Sequence, residues 1–168
     1  MRPFVITIAA LAGIWAAISS LEELSPPIEG LTVADLRDTF NEFHNGHAHE
    51  AIDIMEPRGT TVHAVTSGRI QKLFLSRAGG NTVYEFDEAK IYCYYYAHLD
   101  RYAEGLREGA PVRRGDVIGF VGSTGDARPD APHLHFAVFV LGPAREWWKG
   151  TPLNPYHALI TAIERARK

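Results

Sequence analysis

From residue 49 onward the chain is written in short runs rich in Val, Ile, Tyr and Phe, each cut off by Gly, Pro, Asn or Asp. Runs of that length and punctuation make β-strands joined by tight turns. "TTVHAVTSGRIQKLFL" reads as two strands around Ser67-Gly68, and "NTVYEFDEAKIYCYYYAHL" as a hairpin turning at Asp87-Glu88-Ala89. "APVRRGDVIGFVGS" gives a further strand and "HLHFAVFVLG" another. The end, residues 155–168, is helical in pattern, with Leu159, Ile160 and Ile163 opposite Glu164, Arg165, Arg167 and Lys168. In "LTVADLRDTFNEF", Leu36, Phe40 and Phe43 stand at helical spacing, although Asp38-Thr39-Phe40 could equally open a strand. The pattern predicts a mainly β fold, an antiparallel β-sheet domain closed by a short C-terminal helix. A chain of 168 residues holds one such domain with its own core and is too short for two. Cys93 stands alone, so no intrachain disulfide supports the fold. A net charge of -3 supplies no basic face for nucleic acid.

The N-terminus differs from everything after it. Arg2 precedes "FVITIAALAGIWAAI", residues 4–18, an apolar run without charge. As a helix it reaches about 22 Å, short of the roughly 30 Å hydrocarbon core of a bilayer. With the small-x-small site Ala17-Ile18-Ser19, residues 1–20 read as a secretory signal peptide, the alternative being an uncleaved, tilted anchor. Either reading places the rest of the chain outside the cytoplasmic membrane, in the periplasm or cell envelope. Residues 21–37 are expected to be a linker or lead-in, 38–157 the domain, and 158–168 the terminal helix.

Candidate ligands fall in four stretches: His44, His47, His49 and Asp53 in "HNGHAHEAID", His63 in "TVHAV", His98 in "YYAHL", and His133 with His135 in "PHLHF". An isolated histidine in a β protein is more often hydrogen-bonded or exposed than a ligand. His44, His63 and His157 take that reading, and His47 is assigned to the rim. In a strand His133 and His135 face the same way with α-carbons about 6.6 Å apart. They could be two ligands of one metal, or one ligand beside one catalytic base. Zinc takes imidazole and carboxylate ligands, three from the protein in a catalytic site. His49 and Asp53 are about 13 Å apart in an extended strand. If both bind one ion the chain must bend between them, and the bend is predicted near Ala51. Alternation in the strand before His98 puts Tyr92, Tyr94, Tyr96 and His98 on one face, expected to be a groove. No H-E-x-x-H is present, so Glu50 is not a helical general base.

Together "HEAID", "GTTVHAVTSG", "YYAHL", "GSTG" and "PHLHF", in this order, resemble the lysostaphin-type (LytM-type) zinc metalloendopeptidases, which cut bacterial cell-wall peptides. The resemblance runs from about Asp38 to Asn154. It implies a LytM-like fold related to the barrel-sandwich architecture, a Zn2+ cofactor, and a peptidoglycan peptide as substrate for a protein expected to act as a monomer. His49, Asp53 and His135 then correspond to the metal ligands. His98 and His133 correspond to the two active-site histidines that do not bind the metal. The implied chemistry is metal-assisted amide hydrolysis, with His133 taking the proton of water and His98 orienting that water or stabilising the oxyanion. Two positions depart from the family pattern: Ala51 stands where glycine is usual and Ala137 where glutamate is common. A left-handed backbone at Ala51 would cost on the order of 1 kcal/mol.

Two other readings compete. A catalytically silent relative that binds the wall or activates another hydrolase would typically lack ligands, and all five site residues are present. A biotinyl or lipoyl carrier would need a modifiable lysine in a tight hairpin, and "EAKIY" around Lys90 does not match that motif. The bond cleaved is not specified by the sequence. Trp147-Trp148 is read either as a substrate rim or as cover for a sheet edge.

Overall fold

The hairpin expected from the aromatic-rich stretch forms as β6 (Gly80–Asp87) and β7 (Tyr92–Leu99), the centre of the main sheet. These are coordinates of a computed structural model, which describes residues 23–44 and 46–168. The apolar run at 4–18 therefore lies outside the described residues, and no helix among those described is long and apolar enough to cross a membrane. Adding β5 (Gly68–Ser76), β9 (Pro111–Val112), β11 (His133–Leu141) and β12 (Gly150–Leu153) gives the antiparallel order β12-β11-β7-β6-β5-β9. β3 (Ile52–Met55) pairs with the first half of β11, whose second half pairs with β12. A smaller sheet joins β4 (Thr61–His63), β10 (Val117–Phe120) and β8 (Arg101–Tyr102), and β1 (Phe43–His44) pairs with β2 (His47–Ala48).

One strand expected in "APVRRGDVIGFVGS" is two, β9 and β10, belonging to different sheets. A turn separates them: Arg113 N–H donates to Asp116 Oδ2 (2.8 Å) and Asp116 N–H to the Arg113 carbonyl (3.0 Å). The helical option upstream shrinks to a 3-10 turn at Val33–Asp35, where Asp35 Oδ2 accepts from Thr32 N–H (2.8 Å) and stops propagation. Residues 24–36 are nonetheless packed, since Leu24, Ile28, Leu31 and Leu36 are buried in the main core. The terminal helix α1 (Tyr156–Ala166) buries Leu159, Ala162 and Ile163 on that same core.

Period-two alternation gives the main sheet two unlike faces. Ile52, Ile54, Leu134, Phe136, Tyr94 and Tyr96 point into the core and are fully buried. Tyr92, Tyr94 and Tyr96 were expected to face a groove. They pack inward instead, because burying a phenol ring returns more apolar area than exposing it. The opposite face carries Asp53, Tyr95, His133 and His135, and it is the face of the candidate site.

Among the inward tyrosines sits a carboxyl group. Tyr96 OH donates to Glu85 Oε2 (2.6 Å) and accepts from Val65 N–H (3.0 Å). Glu85 Oε1 and the Tyr94 hydroxyl, opposite each other in the β6–β7 register, are buried without a partner. Desolvation pushes the Glu85 carboxyl up to about 8, the Tyr96 hydrogen bond offsetting only part of it. The folded state thus holds a proton on Glu85 that the unfolded chain releases near the ordinary value of 4.5. The associated stability is complete below that value and is lost as pH rises through about 8. Urea midpoints measured at pH 6 and pH 9 should fall in the native chain. They should fall much less in Glu85→Gln, which keeps an oxygen acceptor for Tyr96 without an ionisable proton. Equal falls in both proteins would remove Glu85 as the cause.

Candidate metal centre

Three elements deliver the site: the segment entering β3, the first half of β11, and the end of β7. In the β3–β11 register Asp53 lies opposite His135, and in the β7–β11 register His135 lies opposite Ala97. Directly paired residues share a face, so the carboxylate and the imidazole meet by register alone. His49 lies outside β3 and joins them through a backbone turn. The turn falls near Ala51 as expected, with the left-handed residue its neighbour Glu50, φ 57. Ala51 is buried and is not among the residues with positive φ, so the strain foreseen for an alanine there does not arise. Glu50 bears it, on the order of 1 kcal/mol. Thr39 fixes the turn from behind: its hydroxyl donates to the Ala51 carbonyl (3.0 Å) and accepts from Asp53 N–H (3.1 Å).

His98 reaches the site by a second irregularity. Asn81 pairs with Leu99 but Val83 with Tyr96, so β7 carries one residue more than β6 between those pairs. The extra residue makes a β-bulge, and His98 takes φ 59 within it. Strict alternation would have sent His98 into the core with Tyr94 and Tyr96; the bulge returns it to the face of Tyr95. Its N–H donates to the Gly79 carbonyl and its Nδ1–H to the Thr124 carbonyl, each at 2.8 Å. The two loops that provide these carbonyls interlock at Gly125, with φ 80, where a β-carbon would collide with the Ala78 carbonyl. Thr124 Oγ1 adds a bond to the Leu99 carbonyl (2.8 Å).

The converging atoms form a near-equilateral triangle. His49 Nε2 is 3.1 Å from Asp53 Oδ1 and 3.1 Å from His135 Nδ1, and His135 Nδ1 is 3.2 Å from Asp53 Oδ1. Tetrahedral zinc with bonds of about 2.0–2.1 Å requires ligand atoms roughly 3.3 Å apart. Asp53 Oδ1 is buried with no hydrogen-bond donor aligned on it, the state expected of an oxygen directed at a cation. Among the described residues, His49, Asp53 and His135 are thus a group able to hold a metal ion. Burial opposes the charge on Asp53, but the His135 and His49 imidazoles outweigh it and hold the carboxyl well below the usual carboxylate range. For His49, burial is likewise outweighed by the Asp53 carboxylate, and its pKa rises.

Tautomers follow from the carbonyls that each ring meets, since a carbonyl can only accept. His49 Nδ1 lies 3.1 Å from the Thr39 carbonyl, so it carries the hydrogen and Nε2 turns its lone pair to the triangle. His133 Nδ1 donates to the Ala131 carbonyl (2.9 Å), leaving Nε2, 3.8 Å from Asp53 Oδ1, as an acceptor. His98 is arranged in the same way against Thr124. Burial lowers the His98 pKa, assisted by the neighbouring His135 and His133, so that ring is neutral at pH 7. The rings of His98 and His133 are 4.8 Å apart, and His98 lies 5.5 Å from His135.

All five residues singled out in the sequence line one cleft, together with Gly79, Tyr95, Asp126 and Arg128. His63 lies away from it, donating to the Gly115 carbonyl (2.8 Å), and His157 is exposed on α1. The side chains of His44 and His47 lie outside the described residues. Ala137 is buried opposite Tyr95. Sequence reasoning missed Tyr95, whose ring meets His135 edge-on at 5.9 Å, and Thr39; the signal for Tyr95 was its offset from the three buried tyrosines.

The chain is 31% identical over 135 residues to the L-Ala–D-Glu endopeptidase of Bacillus subtilis, covering 76% of this chain and 41% of that protein. It is 35% identical over 95 residues to the peptidoglycan DD-endopeptidase ShyC of Vibrio cholerae, covering 56% and 21%. The chain therefore spans less than half the length of either relative. The catalytic domain of the antimicrobial peptidase lysostaphin from Staphylococcus simulans superposes with a TM-score of 0.59 at 29% identity, covering 82% of this chain and 88% of that one. The sequence pattern of peptidase family M23 matches residues 47–155, most of the chain and every residue of the cleft just described, and the chain belongs to that family.

Proposed function

We propose that the chain is a zinc-dependent endopeptidase that hydrolyses peptide bonds of bacterial cell-wall peptidoglycan. In this reading His49, Asp53 and His135 hold the metal, and His133 and His98 manage the proton of the attacking water. The observation that carries it is Asp53 Oδ1, buried without a donor at one corner of a triangle of ligand atoms 3.1–3.2 Å on a side. Family membership and the wall-peptide specificities named for the relatives support the substrate class. Action there requires the domain outside the cytoplasmic membrane, and the apolar run at 4–18 is read as the export segment or anchor that takes it there.

A bound zinc ion supplies Lewis acidity to the scissile carbonyl and acidifies a water in the site. His133 presents the Nε2 lone pair that takes the proton as the water attacks, and its Nδ1–H stays fixed on the Ala131 carbonyl. Protonated, His133 then donates from Nε2 to the departing amine. His98 is neutral with its own Nε2 an acceptor, so it orients the water by taking a second hydrogen bond. The Thr39 carbonyl and hydroxyl hold His49 and the Asp53 backbone in place while this occurs.

The test is to incubate the purified chain with peptidoglycan, with and without a chelator, and to identify released peptides by mass. Expected are peptide products that disappear with chelator and return with added zinc. Cleavage that persists through chelation would overturn the metal mechanism. No cleavage with one zinc bound would leave a wall-binding module.

A further inference from the structure

Beyond the metal cleft, on the same face of the main sheet, a second cleft of about 440 Å3 opens between β6, β7, β11 and the β11–β12 connection. Its size is within the range of small-molecule sites, about 300–1,000 Å3. Five aromatic side chains line it: Tyr84, Tyr95, Phe139, Trp147 and Trp148. Their rings form a continuous path. Tyr95 is 5.9 Å from His135 and 4.7 Å from Tyr84, Tyr84 is 4.7 Å from Trp147, and Trp147 is 5.3 Å from Trp148. Tyr95 lines both clefts, so the second is an extension of the first. Gly79, in the metal cleft, leaves room for the Tyr95 hydroxyl, which a β-carbon there would meet. Trp148 ends the path with 63% of its surface exposed, the largest aromatic left open to solvent on this face. Glu50 and Lys149, both exposed, add a carboxylate and an ammonium to the border.

We infer that this aromatic cleft is a glycan subsite, which seats a pyranose ring of the peptidoglycan strand whose peptide is cut at the metal. The inference rests on the peptidoglycan reading given above. Residues such as L-Ala and D-Glu, named for the relative's scissile bond, offer a methyl group and two methylenes ending in a carboxylate, little apolar area for five aromatic rings. The large apolar surfaces of peptidoglycan are the C–H faces of its sugars, which lie flat on aromatic rings while their rim hydroxyls hydrogen-bond outward. One exposed indole, Trp148, beside four half-buried rings, two of them phenols, with a carboxylate and an ammonium at the border, has that composition. A hydrocarbon side chain would call for an enclosed, unbordered pocket.

The experiment compares kcat/KM of the full zinc-loaded chain on one stem peptide with and without its attached disaccharide, in the native protein, Trp148→Ala and Trp148→Phe. The glycan-bearing to glycan-free ratio should fall about tenfold in Trp148→Ala, the scale of one lost aromatic contact. It should be largely restored in Trp148→Phe. An unchanged ratio in Trp148→Ala would overturn the glycan assignment and leave Trp148 as cover for the sheet. Calorimetric titration with peptide-free glycan strands separates this from the hydrolysis reading, because it needs no turnover. Binding that Trp148→Ala weakens supports the subsite even in an inactive chain, and no binding by the native chain overturns it.

Discussion

Replacing Asp53 by alanine should abolish peptide release from peptidoglycan while leaving the domain folded. The carboxylate is opposite His135 in register and supplies the one anionic corner of the triangle. Without it, two imidazoles remain, and two neutral ligands neither balance the charge of a divalent ion nor complete the three protein positions of a catalytic site. The Lewis-acid contribution is several kcal/mol, and each 1.36 kcal/mol is a factor of ten, so the loss in kcat/KM should be at least about a thousandfold. The fold should persist because Asp53 contributes nothing to the core: its neighbours Ile52 and Ile54 point the other way and are fully buried. Circular dichroism and the thermal midpoint check the fold, and metal content checks the cause. A variant that retains activity within tenfold would remove Asp53 from the ligand set.

His133→Ala should fail differently. It removes the lone pair aimed across the cleft and leaves the triangle intact. The expected loss is about 10²–10⁴ in kcat, the range for a positioned general base, with the metal still bound. The separation of roles has a geometric basis: His133 Nε2 is 3.8 Å from Asp53 Oδ1, against 3.2 Å for His135 Nδ1. The nearer ring belongs to the triangle, and the farther ring stands beyond hydrogen-bond reach of Asp53 Oδ1. Exogenous imidazole should restore part of the activity of His133→Ala. Absence of rescue together with loss of metal would mean that His133 is itself a ligand.

The β content was legible because period-two alternation is written directly in side-chain order, and the residues of the cleft were legible through the resemblance of "HEAID", "YYAHL" and "PHLHF" to the lysostaphin-type motifs. "HLHF" and "AIDI" each state which residues share a face, and the pairing of β3 with β11 then brings Asp53 to His135. What the sequence concealed were the places where the backbone leaves its regular path. Glu50 and His98 both take left-handed conformations that no side-chain pattern announces, since neither is glycine. The bend was expected near Ala51, where it lies, but the residue that takes the left-handed conformation is Glu50. Alternation without the bulge assigned Tyr94 and Tyr96 to the groove, when Tyr95 is the tyrosine there. A bulge depends on the length of the partner strand, a long-range fact. The packing of residues 24–36 was similarly hidden, because prolines and acidic residues look like a linker until Leu24, Ile28 and Leu31 find a core to bury against.

Zinc content after equilibrium dialysis, measured side by side for the native chain, Asp53→Ala and His133→Ala, tests the division of the cleft into ligands and proton carriers most directly. Metal-assisted hydrolysis with His133 as base predicts one zinc per chain in the native protein and in His133→Ala, and none in Asp53→Ala. Full zinc retention in Asp53→Ala, or its loss in His133→Ala, would contradict it.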